Sequence, residues 1–246
     1  PPQYNNYAAK FPHTYFGFDP DVTREQVRAR LAMFRAGDNR ITELSRAYRV
    51  ELSTGWYTPP GVLHAPGSYL TYEPQWNSDV NSVYENVASG EVYSKFFLNE
   101  NVPENRKDDI DYIFSLLDWE KNIDPDFRKH YFRPPICEEG MPDGCIQKWI
   151  AYGNEYVSAK ELIVLPGATV TIRDGAAHGI ILTQGHGRLG RYDCETPTLL
   201  RFGQLSCDEF FVTHGAACAG VTITNASRVE PLVMLKHFGP NCPGRP

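Results

Sequence analysis

Residues 55–84 read GWYTPPGVLHAPGSYLTYEPQWNSDVNSVY, and the pattern that decides the fold lies in them. Pro59-Pro60-Gly61-Val62-Leu63-His64 has the form P-x-G-x-x-H, in which a Pro/Gly turn fixes the backbone at a barrel rim. The next strand then delivers the His64 imidazole inward, either as a metal ligand through one ring nitrogen or as a satisfied core histidine. Glu73 and Gln75 stand two apart, so an extended chain puts them on one face. His64 and Glu73 flank an expected hairpin that brings them to one cavity, with Asp79 close behind. Such polar groups inside a barrel are costly without a metal or a polar ligand to meet them. Alternatively, Asp79 caps a turn with Asn77 and Ser78.

Outward from this stretch the texture is mostly β. Strands are expected over 49–52, 69–72 and 80–87, separated by Pro/Gly turns. Upstream, Thr23 with Gln26 makes a capping box for a helix that buries Val27, Leu31 and Phe34 and stops at Gly37. A second short helix is expected over 41–47. Downstream, Ile110, Ile113, Phe114 and Leu117 share a helical face capped by Asp108 or Asp109. Asp124-Pro125 starts a further short helix, and residues 133–144 read as a linker. Residues 146–240 are a series of short strands, with apolar positions at 162–165, 170, 172, 180–182, 210–212, 221–223 and 232–235. Turns are expected at Pro166-Gly167, Gly185-His186-Gly187, Gly203 and Gly215. That spacing predicts a closed or sandwiched antiparallel barrel.

Composition narrows the function classes. The chain has 246 residues with 20 glycines and 19 prolines, which suits turn-rich β structure over a helical bundle. A net charge of -6 excludes a broad basic face for nucleic acid. No apolar run is long enough to cross a membrane, and no signal-peptide pattern opens the sequence. The six cysteines are irregularly spaced without a C-x-x-C pair, so they read as reduced, mostly buried thiols of a cytoplasmic protein.

TYFGFDPDVTREQVRARL (residues 14–31), GWYTPPGVLHAPGSYLTYEPQ (55–75) and NSD (77–79) together resemble the core of type I mannose-6-phosphate isomerases of the cupin superfamily. The resemblance covers residues 14–85, and more loosely 146–240. It implies a mainly β bicupin, two jelly-roll barrels with a few helices. The partial N-terminal barrel with its inserted helix would occupy 1–100, a helical connector 101–145 and the C-terminal barrel 146–240. It further implies that His64 ligates a divalent metal, zinc, while Glu73 and Asp79 carry the chemistry. The substrate is then a sugar or sugar phosphate, isomerised between aldose and ketose through an enediol. A non-catalytic sugar-binding cupin or another metal-dependent cupin enzyme is the alternative, and a homodimer is compatible with either.

Three departures accompany the resemblance. The family's other metal ligands precede the segment matching Thr14, where this chain has thirteen residues with only His13 able to ligate; Pro1 in place of Met therefore reads as an N-terminal truncation. The family's arginine after NSD is missing from Val80-Asn81-Ser82-Val83-Tyr84-Glu85, leaving Lys95 as the nearest downstream cation and, with Gln75, the expected substrate contact. In the C-terminal segment, PGATVTIRDGAAHGIILTQGHGRLG and FFVTHGAACAG resemble the two cupin motifs. There Arg173, Gly175, His178, His186, His214 and Cys218 do not make a standard ligand set, and a packed, metal-free barrel is expected.

Overall fold

The computed structural model describes residues 12–67, 70–76, 80–88, 90–199 and 202–246. Two compact units emerge: the first takes in residues 1–52, 58–72 and 77–132, the second residues 53–57, 73–76 and 133–246. The fold class is mainly β, as expected. No helix among the described residues is long and apolar enough to cross a membrane.

The first seven strands are short: β1 (His13–Phe18), β2 (Ser45–Arg49), β3 (Gly55–Trp56), β4 (His64–Ala65), β5 (Val87–Ala88), β6 (Glu91–Val92) and β7 (Phe132–Arg133). In the first unit β1 is the centre of a three-stranded antiparallel sheet, with β2 and β4 at its edges, and β5 and β6 form a separate hairpin. The helix Arg24–Ala32 begins as its sequence predicts, with the Thr23 side chain accepting from the Gln26 amide and Gln26 answering the Thr23 amide. It buries Val27 and Leu31 and, with Phe18, Phe34, Leu98, Ile113 and Phe114, builds the core of this unit. Asp109 caps the helix Ile110–Ser115. The helices Trp119–Asn122 and Phe127–Tyr131 come next along the chain.

Several local expectations need correction. The helix expected over 41–47 is a single 3-10 turn, Ile41–Leu44, after which the chain is already β2. Residues 50–52, 70–72 and 80–86 form no strand. Their apolar residues invited a strand reading, but an isolated extended segment has no ladder unless a partner lies alongside. The Asp124-Pro125 helix starts two residues later, with Asp124 accepting from the Asp126 and Phe127 amides.

The second unit is a nine-stranded antiparallel sheet. Its strands are β8 (Ile136–Cys137), β9 (Cys145–Ala151), β10 (Ser158–Val164), β11 (Thr169–Ile172), β12 (His178–Leu189), β13 (Tyr192–Thr196), β14 (Glu209–Val212), β15 (Val221–Asn225) and β16 (Leu232–Phe238). They run in the order β11-β15-β12-β16-β10-β9-β8, with β13 and β14 also paired to β12. The twelve residues of β12 serve two sets of neighbours. The first half pairs with β14 and β16, the second with β13 and β15. The register shifts between Leu182 and Gln184, so 185–187 is not the turn its glycines suggested but the place where one strand changes partners. Gly187 is required there because a Cβ would sit 2.0 Å from the Thr224 carbonyl oxygen of β15. Gly215 is likewise no turn; it lies in the short helix His214–Ala219, capped by Thr213. Leu162, Val164, Ile180, Leu182, Ile223, Leu232 and Met234 fill the interior.

Candidate functional site

The P-x-G-x-x-H turn is held from both sides within the first unit. The Val62 amide donates to the Pro59 carbonyl at 3.3 Å, closing the turn. Gly61 has φ +78°, and a side chain there would meet the Asp118 backbone nitrogen at 2.8 Å, so only glycine fits. Asn122, fully buried, clamps the backbone on the way to His64. Its amide nitrogen donates to the Gly61 and Asp118 carbonyls at 2.7 Å each, and its oxygen accepts from the Leu63 amide at 3.0 Å. The Leu63 carbonyl in turn accepts from the Gly17 amide of β1 at 2.8 Å.

His64 stands on β4, in register with Phe16 of β1, and its ring stacks on that phenyl with centroids 6.2 Å apart. Its Nδ1 lies 3.2 Å from the Val62 carbonyl. A carbonyl only accepts, so Nδ1 carries the proton and Nε2 keeps its lone pair. That is the orientation a metal-ligating histidine takes. The residue is exposed, however, rather than turned inward as the sequence suggested.

Glu73 and Gln75 are exposed in an extended segment that groups with the second unit, whereas His64 and Lys95 belong to the first. Asp79 lies outside the described residues. Lys95 precedes the helix Phe96–Asn99 and pairs with Asp108 at 2.5 Å. Among the described residues no group of three or more His, Cys, Asp or Glu side chains is arranged to hold a metal. His64 therefore offers one nitrogen of the four donors a zinc centre takes, and the described residues do not complete the set.

In the second unit the sequence-named histidines part company. His186 is exposed on the second half of β12, and His214 Nε2 lies 3.6 Å from Cys218 Sγ on the helix His214–Ala219. His178 is buried in a cluster that sequence reasoning missed. Asp174 is its centre: Oδ2 accepts from Lys236 Nζ at 2.7 Å, and Oδ1 from Lys160 Nζ at 3.2 Å and Gln147 Nε2 at 3.4 Å. Lys160 also pairs with Glu138 at 2.8 Å and lies 4.4 Å over the Trp149 ring. Glu138 further accepts from Gln147. Lys160 and Lys236 are direct cross-strand partners, a pairing of like charges that Asp174 makes tolerable.

Burial pushes the Asp174 carboxyl up, but Lys236 and Lys160 outweigh it and hold the group below the usual carboxylate range. Burial lowers Lys236 against the pull of Asp174, and burial lowers His178 against its bond to the Ala176 carbonyl. The cluster holds two ammonium groups and two carboxylates, so it is neutral as it stands. Lys160 is in phase with the buried Leu162 and Val164, and Lys236 with the buried Met234 and Phe238, but the flanking runs 162–165 and 232–235 are apolar on both faces, so the sequence alone does not mark which face turns inward.

These shifts make a pH prediction. His178 is depressed in the folded state, so its contribution is complete above its ordinary value of 6.5 and is lost as pH falls through the folded value. Asp174 is depressed too, and its contribution is lost at more acid pH, below its ordinary 3.8. The urea midpoint is expected to fall in two stages as pH drops from 7 to 3. His178→Gln should flatten the upper stage, leaving the slope from His237, which burial also lowers. An unchanged upper stage in that variant would refute the assignment.

No protein-family model matches the chain, and no curated protein does. Solved structures do. The mannose 6-phosphate isomerase from Bacillus subtilis matches 93% of this chain at 16% identity with a TM-score of 0.54, and the match takes in 61% of that chain. A cupin-2 domain from Rhodospirillum rubrum (18% identity, TM-score 0.31) covers 44% of this chain and 69% of its own. An RmlC-like cupin from Ralstonia eutropha (10% identity, TM-score 0.32) covers 44% and 63%. The likeness to the isomerase shows a shared, mainly β fold. This chain spans less than two thirds of that enzyme's length.

Proposed function

We propose that this protein acts on a sugar phosphate in the manner of a mannose-6-phosphate isomerase, with His64 as a metal ligand. The observation that supports it most is the fold likeness to such an isomerase along 93% of the chain. The turn that orients the His64 imidazole agrees with it, since Nδ1 is engaged by a carbonyl and Nε2 is left to ligate. A divalent metal, zinc by the donor chemistry of imidazole and carboxylate, would polarise the carbonyl of an open-chain sugar when bound. Glu73 supplies a carboxylate able to move a proton between adjacent carbons, Gln75 an amide for sugar hydroxyls, and Asp79 a second acid.

The test follows the exchange of mannose 6-phosphate with its ketose isomer by NMR, with zinc present and after chelation. Metal-dependent exchange is the expected result. Elemental analysis of His64→Ala is expected to show at least about tenfold weaker zinc retention, the loss typical of a removed ligand or its support. Unchanged zinc in that variant would sink the metal assignment. The missing arginine in 80–85 favours the second reading, a non-catalytic sugar-binding cupin, which saturable binding without exchange would establish. Neither binding nor exchange would overturn both.

A further inference from the structure

Within the first unit a cavity of about 90 Å³ opens between the helices Arg24–Ala32, Phe96–Asn99 and Ile110–Ser115. Its lining combines the apolar Leu31, Phe34, Leu98, Ile110 and Ile113 with the charged Arg35, Lys95 and Asp108. Lys95 Nζ lies 2.5 Å and Arg35 Nη2 3.6 Å from the same oxygen of Asp108, so two cations share one carboxylate. These three charged groups thus sum to one net positive charge beside the apolar part of the lining. The Lys95 side chain is 18% exposed, whereas that of Asp108 is 79% exposed and is the member free to swing away.

We infer that this cavity binds a short-chain carboxylate, its head taking the place of Asp108 between Lys95 and Arg35 and its tail resting on Leu31, Leu98, Ile110 and Ile113. The head is a carboxylate because Lys95 and Arg35 already face one, Asp108, one of whose oxygens lies 2.5 Å from Lys95 Nζ and 3.6 Å from Arg35 Nη2. The tail is short. A cavity of roughly 150 Å³ takes a benzene ring, so the smaller recess suits a tail of about three or four carbons. None of His64, Glu73 or Gln75 lines this cavity, so failure of either proposal leaves the other standing.

The probe is butyrate, titrated into the intact chain while the methyl signals of Leu31, Leu98, Ile110 and Ile113 are followed by NMR. Saturable shifts at these methyls are expected. Charge-assisted bonds to two cations should make the neutral butan-1-ol at least about tenfold weaker, and Lys95→Met or Arg35→Gln should weaken butyrate by a similar factor. Asp108→Asn removes the internal competitor and should tighten binding several-fold. Ala32→Leu, at the cavity wall, should block the tail while the other methyl signals keep their positions. Butyrate that moves none of these methyls overturns the proposal, as does butan-1-ol binding as tightly, which would mark an ordinary packing gap. Propyl phosphate binding more tightly than butyrate overturns the carboxylate assignment.

Discussion

Asp174→Ala is expected to destabilise the second unit by about 3–5 kcal/mol, the cost of breaking a buried ion pair from one side. The reason is what remains. Lys236, 1% exposed, loses the carboxylate 2.7 Å away, and Lys160 keeps only Glu138 while still facing Lys236 across the ladder. Two ammonium groups then oppose one another in an interior closed by Trp149 and Phe238. A loss of that size is a large fraction of the roughly 5–15 kcal/mol that holds a domain folded. Asp174→Asn should lose nearly as much, because shape survives and charge does not. Adding Lys236→Met to Asp174→Ala should recover a substantial part, since it removes the uncompensated charge with an apolar chain of similar length. Urea denaturation of the four proteins checks this. A loss under about 1 kcal/mol for Asp174→Ala, the range of an exposed pair, would show that the cluster is wet and weak.

Asn122→Ala should be the second severe change, at about 2–4 kcal/mol, combining an unsatisfied amide with the loss of two further bonds. The Leu63 N–H loses its acceptor, and the Gly61 and Asp118 carbonyls each lose a donor. The Gly61 carbonyl keeps the Asp118 amide, so the damage concentrates at Leu63, the residue directly before His64. Faster hydrogen exchange at the Leu63 amide and weaker zinc retention are expected together. Asn122→Asp separates the contributions: it keeps an acceptor for Leu63 but sets a carboxylate oxygen against the Gly61 carbonyl. An Asn122→Ala protein with native stability and unaltered exchange at Leu63 would refute the clamp.

Legibility from the sequence was uneven for physical reasons. The capping box of Thr23 and Gln26 depends on bonds three residues apart, so the local string suffices to find it. The strands of the second unit repeat every two residues with one buried face, and that period is visible without any partner. The strands expected over 50–52, 70–72 and 80–86 had the composition but not the neighbours. The same distinction governs the site. The turn at 59–64 and the need for glycine at 61 were legible. The exposure of His64 and the grouping of Glu73 with the second unit were not, because both depend on which segments pack together.

The sequence by itself determined the mainly β class, the helix at 24–32 and the form of the P-x-G-x-x-H turn. Each rests on interactions or periods spanning a few residues. Tertiary structure alone decided that Asp174 meets Lys236 across 62 positions, that Asn122 reaches back 59 residues to Leu63, and that β12 changes partners at Gly185. Those outcomes stem from strand register and helix docking. They are set by the simultaneous burial of many distant side chains, and no local stretch of chain carries that information.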